Sequence, residues 1–228
     1  MDDSRLIKSI YRCCKDQTVS QKGSFCQAVY KSLVSLKLGH IWLSEQIGDL
    51  KKWISSVSSS VMERERDLWL LALQQKSKLR LYRCLKTELR EEEYLRWAVT
   101  VEQRSLYARL RSGTHPLNIE MGRWYQKPEA ERVCAVCLTG KVESEAHFLL
   151  DCYRYNRQRD KLFTCIKLYS GYDLEAFLDD REYMLDVLLG RGLARKVSRR
   201  LIGEAVCKFI ADAMRVRKRV MKLVEAAK

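Results

Sequence analysis

Four residues, Cys134, Cys137, His147 and Cys152, stand in a pattern that can do chemistry: C-x2-C-x9-H-x4-C. Thiolate and imidazole are the donors that Zn²⁺ takes at the corners of a tetrahedron. Two cysteines separated by two residues leave one tight turn and reach one ion. Gly140 follows them and reverses the chain, and a helix from about Ser144 returns His147. Four protein donors leave no open position, so the pattern predicts one structural Zn²⁺ and not a catalytic one. One geometric condition comes with it. Residues five apart on a regular helix point about 140° apart, so the helix must end or loosen near Asp151 for His147 and Cys152 to share an ion. The chain has nine cysteines, an odd number at irregular spacing, which reads as thiols and metal ligands and not as a disulfide framework.

Around this motif the chain is strongly basic, with 43 Lys and Arg against 29 Asp and Glu. Residues 191–228 hold most of the excess, and Arg215, Arg217, Lys218 and Arg219 form its densest run. A second group, Arg104, Arg109, Arg111, Arg123, Lys127, Arg132 and Lys141, flanks the cysteine turn. Such charge suits a polyanion, whose binding would weaken steeply with salt. It also suits a solvated helix face; for the tail a membrane surface is disfavoured, because its apolar face is needed for packing. Trp124 and Tyr125 sit among the second group. Trp124 can stack on an unpaired base or pack beneath the cysteine turn. Trp42, Trp53, Trp69 and Trp97 fall on helical stripes and are expected in the core. His40 and His115 have no partner pattern and read as loop or capping residues.

The elements that must position these residues are helical. With 46 % apolar residues, 2 prolines and 10 glycines, the composition fits a mainly α chain with a real core. Apolar spacing predicts helices over 22–37, 45–76, 79–97 and 101–111. The serine run Ser55–Ser60 is a place for a kink, and Gly39-His40 for a break. Thr100 and Gln103 form a candidate capping box. Ser112 to Pro116 stops the fourth helix. Residues 116–133 read as irregular, with at most one short helix. Helices return over 144–169, broken near Cys152, then over 174–190. The last runs from Leu193 to the C-terminus, with Val197, Leu201, Ala205, Phe209, Ala213, Val220 and Val224 near one face. The reading is a helical domain with a small inserted CCHC zinc knuckle-like motif. Its parts are an N-terminal helical part, 1–112, the basic zinc segment, 113–155, and a C-terminal helical part, 156–228. No apolar run reaches the ~18 residues of a membrane span, and Met1-Asp2-Asp3-Ser4 does not begin like a signal peptide. An intracellular protein, cytoplasmic or nuclear, is expected.

The residues from Arg109 to Tyr155 resemble a known family. The phrase Gly113-Thr-His115-Pro-Leu-Asn-Ile119-Glu120-Met-Gly122-Arg123-Trp124, followed by Cys134, Cys137, Glu143, Glu145, His147, Cys152 and Tyr155, is similar to the C-terminal zinc-binding region of non-LTR retrotransposon reverse transcriptases. Looser similarity extends from about residue 40 through Ser77–Tyr82 to Lys208-Phe-Ile210 and Arg215. The resemblance implies a region that grips template RNA or target DNA beside a polymerase. The 228 residues carry no polymerase or endonuclease sequence. Phe177-Leu-Asp179-Asp180 imitates a polymerase metal motif but follows the zinc motif in a predicted helix, so it reads as an exposed acidic junction. In the family a proline often follows the last cysteine, where Tyr153 stands here.

No nucleophile–base arrangement and no phosphate loop is present, so a non-enzymatic role is expected. The leading expectation is a retroelement-derived, zinc-binding module that positions RNA or DNA, for which a reverse transcriptase in trans is one candidate partner. The alternatives are a zinc-stabilised interaction domain for an acidic protein partner, or a truncated retroelement product without selected function.

Overall fold

The computed structural model describes residues 12–13, 25–44, 49–97, 99–169, 179–191 and 196–226. It is mainly α, and no strand occurs among the described residues. A single antiparallel bridge, Val133 to Val142, closes the cysteine turn. The chain divides into two compact units, residues 1–72 and 73–228.

In the first unit, α1 (Phe25–Ser35) ends earlier than its periodicity suggests. Lys37 takes a left-handed φ of 60°, and the Leu38 amide donates back to the Leu33 carbonyl at 2.8 Å, which satisfies a carbonyl left open by the helix end. Gly39-His40 does not break a helix but opens one, α2 (Gly39–Ser44), which buries Trp42 against the ring of Tyr30. Asp49 accepts from the Lys52 amide and starts α3 (Leu50–Gln74). The helix is unbroken through Ser55–Ser60, and Ser55, Ser56, Ser58 and Ser59 face solvent. Trp53 and Trp69 are half-buried, not core.

The second unit departs most from its helical pattern over 79–97. A 3₁₀ turn (Ser77–Leu79) leads into a short α4 (Arg80–Leu85), then extended chain and a second 3₁₀ turn (Glu93–Arg96). Glu88, Glu91 and Glu92 would repel along one face of a continuous helix. Opening it lets Glu92 meet Lys86 and Arg111 instead. The capping box is formed as expected: Thr100 accepts from the Gln103 amide and Gln103 from the Thr100 amide. It starts α5 (Val101–Arg111). Next come α6 (Asn118–Trp124), α7 (Asn156–Tyr169) and α8 (Arg181–Leu188). Asp180, from the polymerase-like tetrad, caps α8 by accepting from the Tyr183 amide. Phe177 and Leu178 lie outside the described residues, as does the predicted helix over 174–178.

The 31-residue α9 (Lys196–Ala226) is the spine of this unit. It packs chiefly on α7 and α5. Its buried stripe runs through Ile202, Val206, Ile210 and Ala213; of the expected line, Phe209 and Ala213 are buried, while Leu201, Ala205, Val220 and Val224 are half-buried. Phe209 meets Phe148, which in turn packs edge-on against Tyr155. On the other flank Trp97, buried as expected, lies against Tyr107.

One turn beyond Ala213, the buried stripe of α9 reaches Arg217. Its guanidinium holds both carboxylate oxygens of Glu143, at 2.8 and 2.9 Å, and both side chains are buried. Breaking a buried pair from one side strands the other charge. Arg217→Ala is therefore expected to cost about 3–5 kcal/mol in urea unfolding. Lys218→Ala, one residue on and exposed, should be near neutral and serves as the comparison.

Candidate metal centre and the basic surface around it

The first half of the centre is a knuckle. The Cys134 amide donates to the Lys141 carbonyl at 2.8 Å and the Leu138 amide to the Cys134 carbonyl at 3.2 Å. Leu138 and Gly140 both take positive φ, 58° and 74°, which folds the chain back on itself. The second half begins at Ser144, whose hydroxyl accepts from the His147 amide. From there the helix widens. Residues His147–Asp151 form a π-turn, and Cys152 leaves it in extended conformation. The Cys152 amide donates to the His147 carbonyl at 2.8 Å. This i to i+5 bond meets the geometric condition set by the spacing: it brings the fifth residue back under the first.

Cys134, Cys137, His147 and Cys152 are all buried, and their ligand atoms lie within 4.8 Å of one another. Cys137 Sγ is 3.4 Å from His147 Nε2. A tetrahedral ion bonded to sulfur at about 2.3 Å and nitrogen at about 2.0 Å needs donors roughly 3.5–3.8 Å apart. The cluster is therefore of the right size and chemistry to hold one metal ion. Its thiols already share protons. Cys134 is pushed up to about 12, first by its hydrogen bond to Cys152 and then by burial, and the same bond holds Cys152 down. A cation would replace those protons.

Residues outside the four fix their positions. Arg159 is buried and donates to the carbonyls of Leu149 and Cys152, at 2.8 and 3.0 Å, clamping the π-turn to α7. Tyr153, in the place of the family's frequent proline, donates its hydroxyl to the Cys137 carbonyl at 3.2 Å. Two carboxylates flank Ser144 and reach in opposite directions. Glu143 takes Arg217 of α9 and also accepts from the Asn118 amide at 2.7 Å, so it joins α9 to the start of α6. Glu145 takes Arg80 of α4 at 2.7 Å and His115 Nε2 at 3.0 Å. Burial alone would raise the Glu145 carboxyl, but the hydrogen bond from His115 and the charge of Arg80 hold it at about 2. His115 is thus a buried member of a network and not a free loop residue. Arg80 continues to Glu120 at 3.4 Å, and Glu120 to Arg123 at 2.9 Å.

The phrase Ile119-Glu120-Met121-Gly122-Arg123 acquires a structural explanation here. Glu120 bonds the two arginines just named. A Cβ on Gly122 would lie 2.5 Å from Cγ of Arg132, so only glycine lets Arg132 cross α6 and donate to the carbonyls of Ile119 and Lys127. Gly113, at φ 64°, lets the chain pass the Lys78 carbonyl, 2.4 Å from where a Cβ would stand.

The structure sorts the basic residues into two classes. Arg111, Arg132 and Arg217, expected on a phosphate-tracking surface, are spent inside. Arg111 is buried, donates to the Leu189 carbonyl and pairs with Glu92. Arg123 is held by Glu120 and the Ser77 hydroxyl. Arg215 is half-exposed but paired with Glu102 and Asp212. Arg109 uses its Nε on the Thr114 carbonyl and is otherwise open to solvent in part. Lys127, Lys141, Lys218 and Arg219 are exposed, and so are Trp124 and Tyr125. Two residues of α7 that the motif reading passed over, Arg157 and Lys161, join Lys208 and Arg219 of α9 along a cleft of about 450 Å³. Their signal was an i to i+4 pair on the solvent face of a helix. None of these four has an ion-pair partner among the described residues.

Comparison with family models, with curated proteins and with solved structures finds no match. No helix among the described residues is long and apolar enough to cross a membrane. Cys137→Ser is expected to abolish stoichiometric metal in the purified chain, read by mass spectrometry, and to raise amide exchange over residues 130–155. One metal ion still held tightly by that variant would refute the ligand set.

Proposed function

We propose that this chain is a retroelement-derived, zinc-stapled module that grips RNA or DNA by its phosphates and does no chemistry by itself. The observation that carries the reading is the cleft between α7 and α9. Arg157, Lys161, Lys208 and Arg219 line it, exposed and unpaired, with Asp212 as its one acidic residue, and Asp212 is engaged with Arg215. Unpaired cations along a groove are the arrangement that releases counterions when a polyphosphate enters. The resemblance around Cys134–Cys152 supports the retroelement origin and a role beside a polymerase.

Zn²⁺ is the metal this reading assigns. Three thiolates and one imidazole with no carboxylate form a soft, closed set that suits zinc and leaves no position for a substrate. The ion's role is then to hold the knuckle to the π-turn. Contacts of this kind position a nucleic acid without reading much sequence.

Binding of a random-sequence oligonucleotide across a salt series tests the proposal. Lys161→Glu combined with Lys208→Glu should weaken binding at least tenfold at low salt. The log–log salt slope should fall by about one for each phosphate that the variant no longer neutralises. Absence of binding at low salt by the zinc-loaded chain would defeat the reading and leave an acidic protein partner as the candidate.

A further inference from the structure

Trp124 and Tyr125 end α6 and lie open to solvent, with 70 % and 71 % of their surface exposed. Packing of Trp124 beneath the cysteine turn is therefore ruled out. Two adjacent aromatic rings left in water forgo the burial that usually places such side chains in a core or an interface. The backbone enforces the display. Tyr125 is the helix C-cap, and Gln126 turns the chain away with φ 54°.

The rings border a cleft of about 470 Å³ whose other walls include Lys78, Arg109, Pro116 and Met121. The Lys78 ammonium stands 5.5 Å from the centre of the Trp124 ring. Arg109 is exposed; its Nε donates to the Thr114 carbonyl, and its terminal guanidinium nitrogens have no partner among the described residues. The single carboxylate of the cleft, Glu120, is buried and taken by Arg80 and Arg123. The cleft thus offers flat apolar faces with positive charge beside them and no available negative charge.

We propose that this cleft receives an unpaired nucleotide, its base stacked on Trp124 and Tyr125 and its phosphates against Lys78 and Arg109. The ligand class is single-stranded nucleic acid. This deepens the nucleic-acid reading above and rests on it. A duplex keeps its bases stacked on one another, so it can offer phosphates to the α7–α9 cleft but no base face to the rings. Base–aromatic stacking tolerates any base, which agrees with a surface that lacks a side-chain code for base edges. The platform is also held in place before binding. Glu120 and Arg132 anchor α6 on both sides of Gly122, so little ordering is required when a base arrives.

The test uses the full zinc-loaded chain and three fluorescent probes of equal length: oligo(dT), oligo(rU) and a mixed-sequence DNA duplex. Both single strands are expected to bind more tightly than the duplex. Trp124→Ala should lower single-strand affinity by about 10- to 100-fold and leave duplex affinity unchanged. Trp124→Phe should recover most of the affinity, with metal content equal in all variants. The oligo(dT) and oligo(rU) arms separate DNA from RNA as the source of the unpaired base. Duplex bound as tightly as single strand, or Trp124→Ala weakening all probes equally or none, would overturn the platform while the phosphate-binding reading stands. Failure of every probe to bind at low salt would overturn both.

Discussion

Glu143 is a carboxylate buried 3.8 Å from the sulfur of Cys134, and its neutralisation is the constraint on which the second unit depends. A buried anion beside thiol ligands is costly unless a cation and directed hydrogen bonds meet it. Arg217 supplies the cation, and it can do so only because α9 runs unbroken from Ile202 to that position with one face buried. The Asn118 amide supplies a further bond. One side chain thus fixes the height of α9, the start of α6 and the far arm of the knuckle. Glu145, two residues on, repeats the device toward α4 and His115. The segment 143–145 ties the metal centre to the helices as much as the four ligands close it.

The same logic explains how positive charge is divided. Arginine offers a planar fork that meets a carboxylate or several carbonyls with little loss of freedom, whereas lysine is a strongly hydrated point charge. Arg111, Arg159 and Arg217 accordingly lie in the interior, while half-buried Arg80 and Arg132 reach carboxylates and carbonyls from its edge. Lys127, Lys141, Lys161, Lys208 and Lys218 stay in water. The net charge of +14 is real, but much of the arginine within it is already spent on carboxylates and carbonyls. Exposed cations outside these pairs lie along α7 and the outer face of α9, and around the end of α6.

How much of this was legible follows from where the information sits. The ligand set was readable because its spacing is a local property, and even the loosened helix before Cys152 followed from the angle between residues five apart. The capping box at Thr100 was readable for the same reason. Arg217 was not, because a charged residue in a tail of charges looks solvated. The clue was its register, four residues past Ala213 on the buried stripe. Region 79–97 misled because apolar spacing there competes with carboxylates that find better partners at Lys86 and at Arg111, the latter far along the chain. Trp124 lay beyond local reasoning altogether. Whether an aromatic at a helix end turns in or out depends on the turn after it, here Gln126 at positive φ, and on packing from distant parts of the chain.

A path of side chains joins the metal centre to the aromatic platform. Glu145 is held two residues before His147, Arg80 bridges it to Glu120, and Glu120 lies on α6, which ends in Trp124 and Tyr125. Both carboxylates on this path are buried, each link is charge-assisted, and each partner's geometry is fixed by the next. Arg80 ties the position of Glu145 to that of Glu120, because its one guanidinium pairs with both carboxylates. A closed four-ligand site would then have a function beyond holding a small loop together. An ion held there would fix residues 144–152 and with them Glu145, whose partner Arg80 also meets Glu120 on the helix that ends in the two rings.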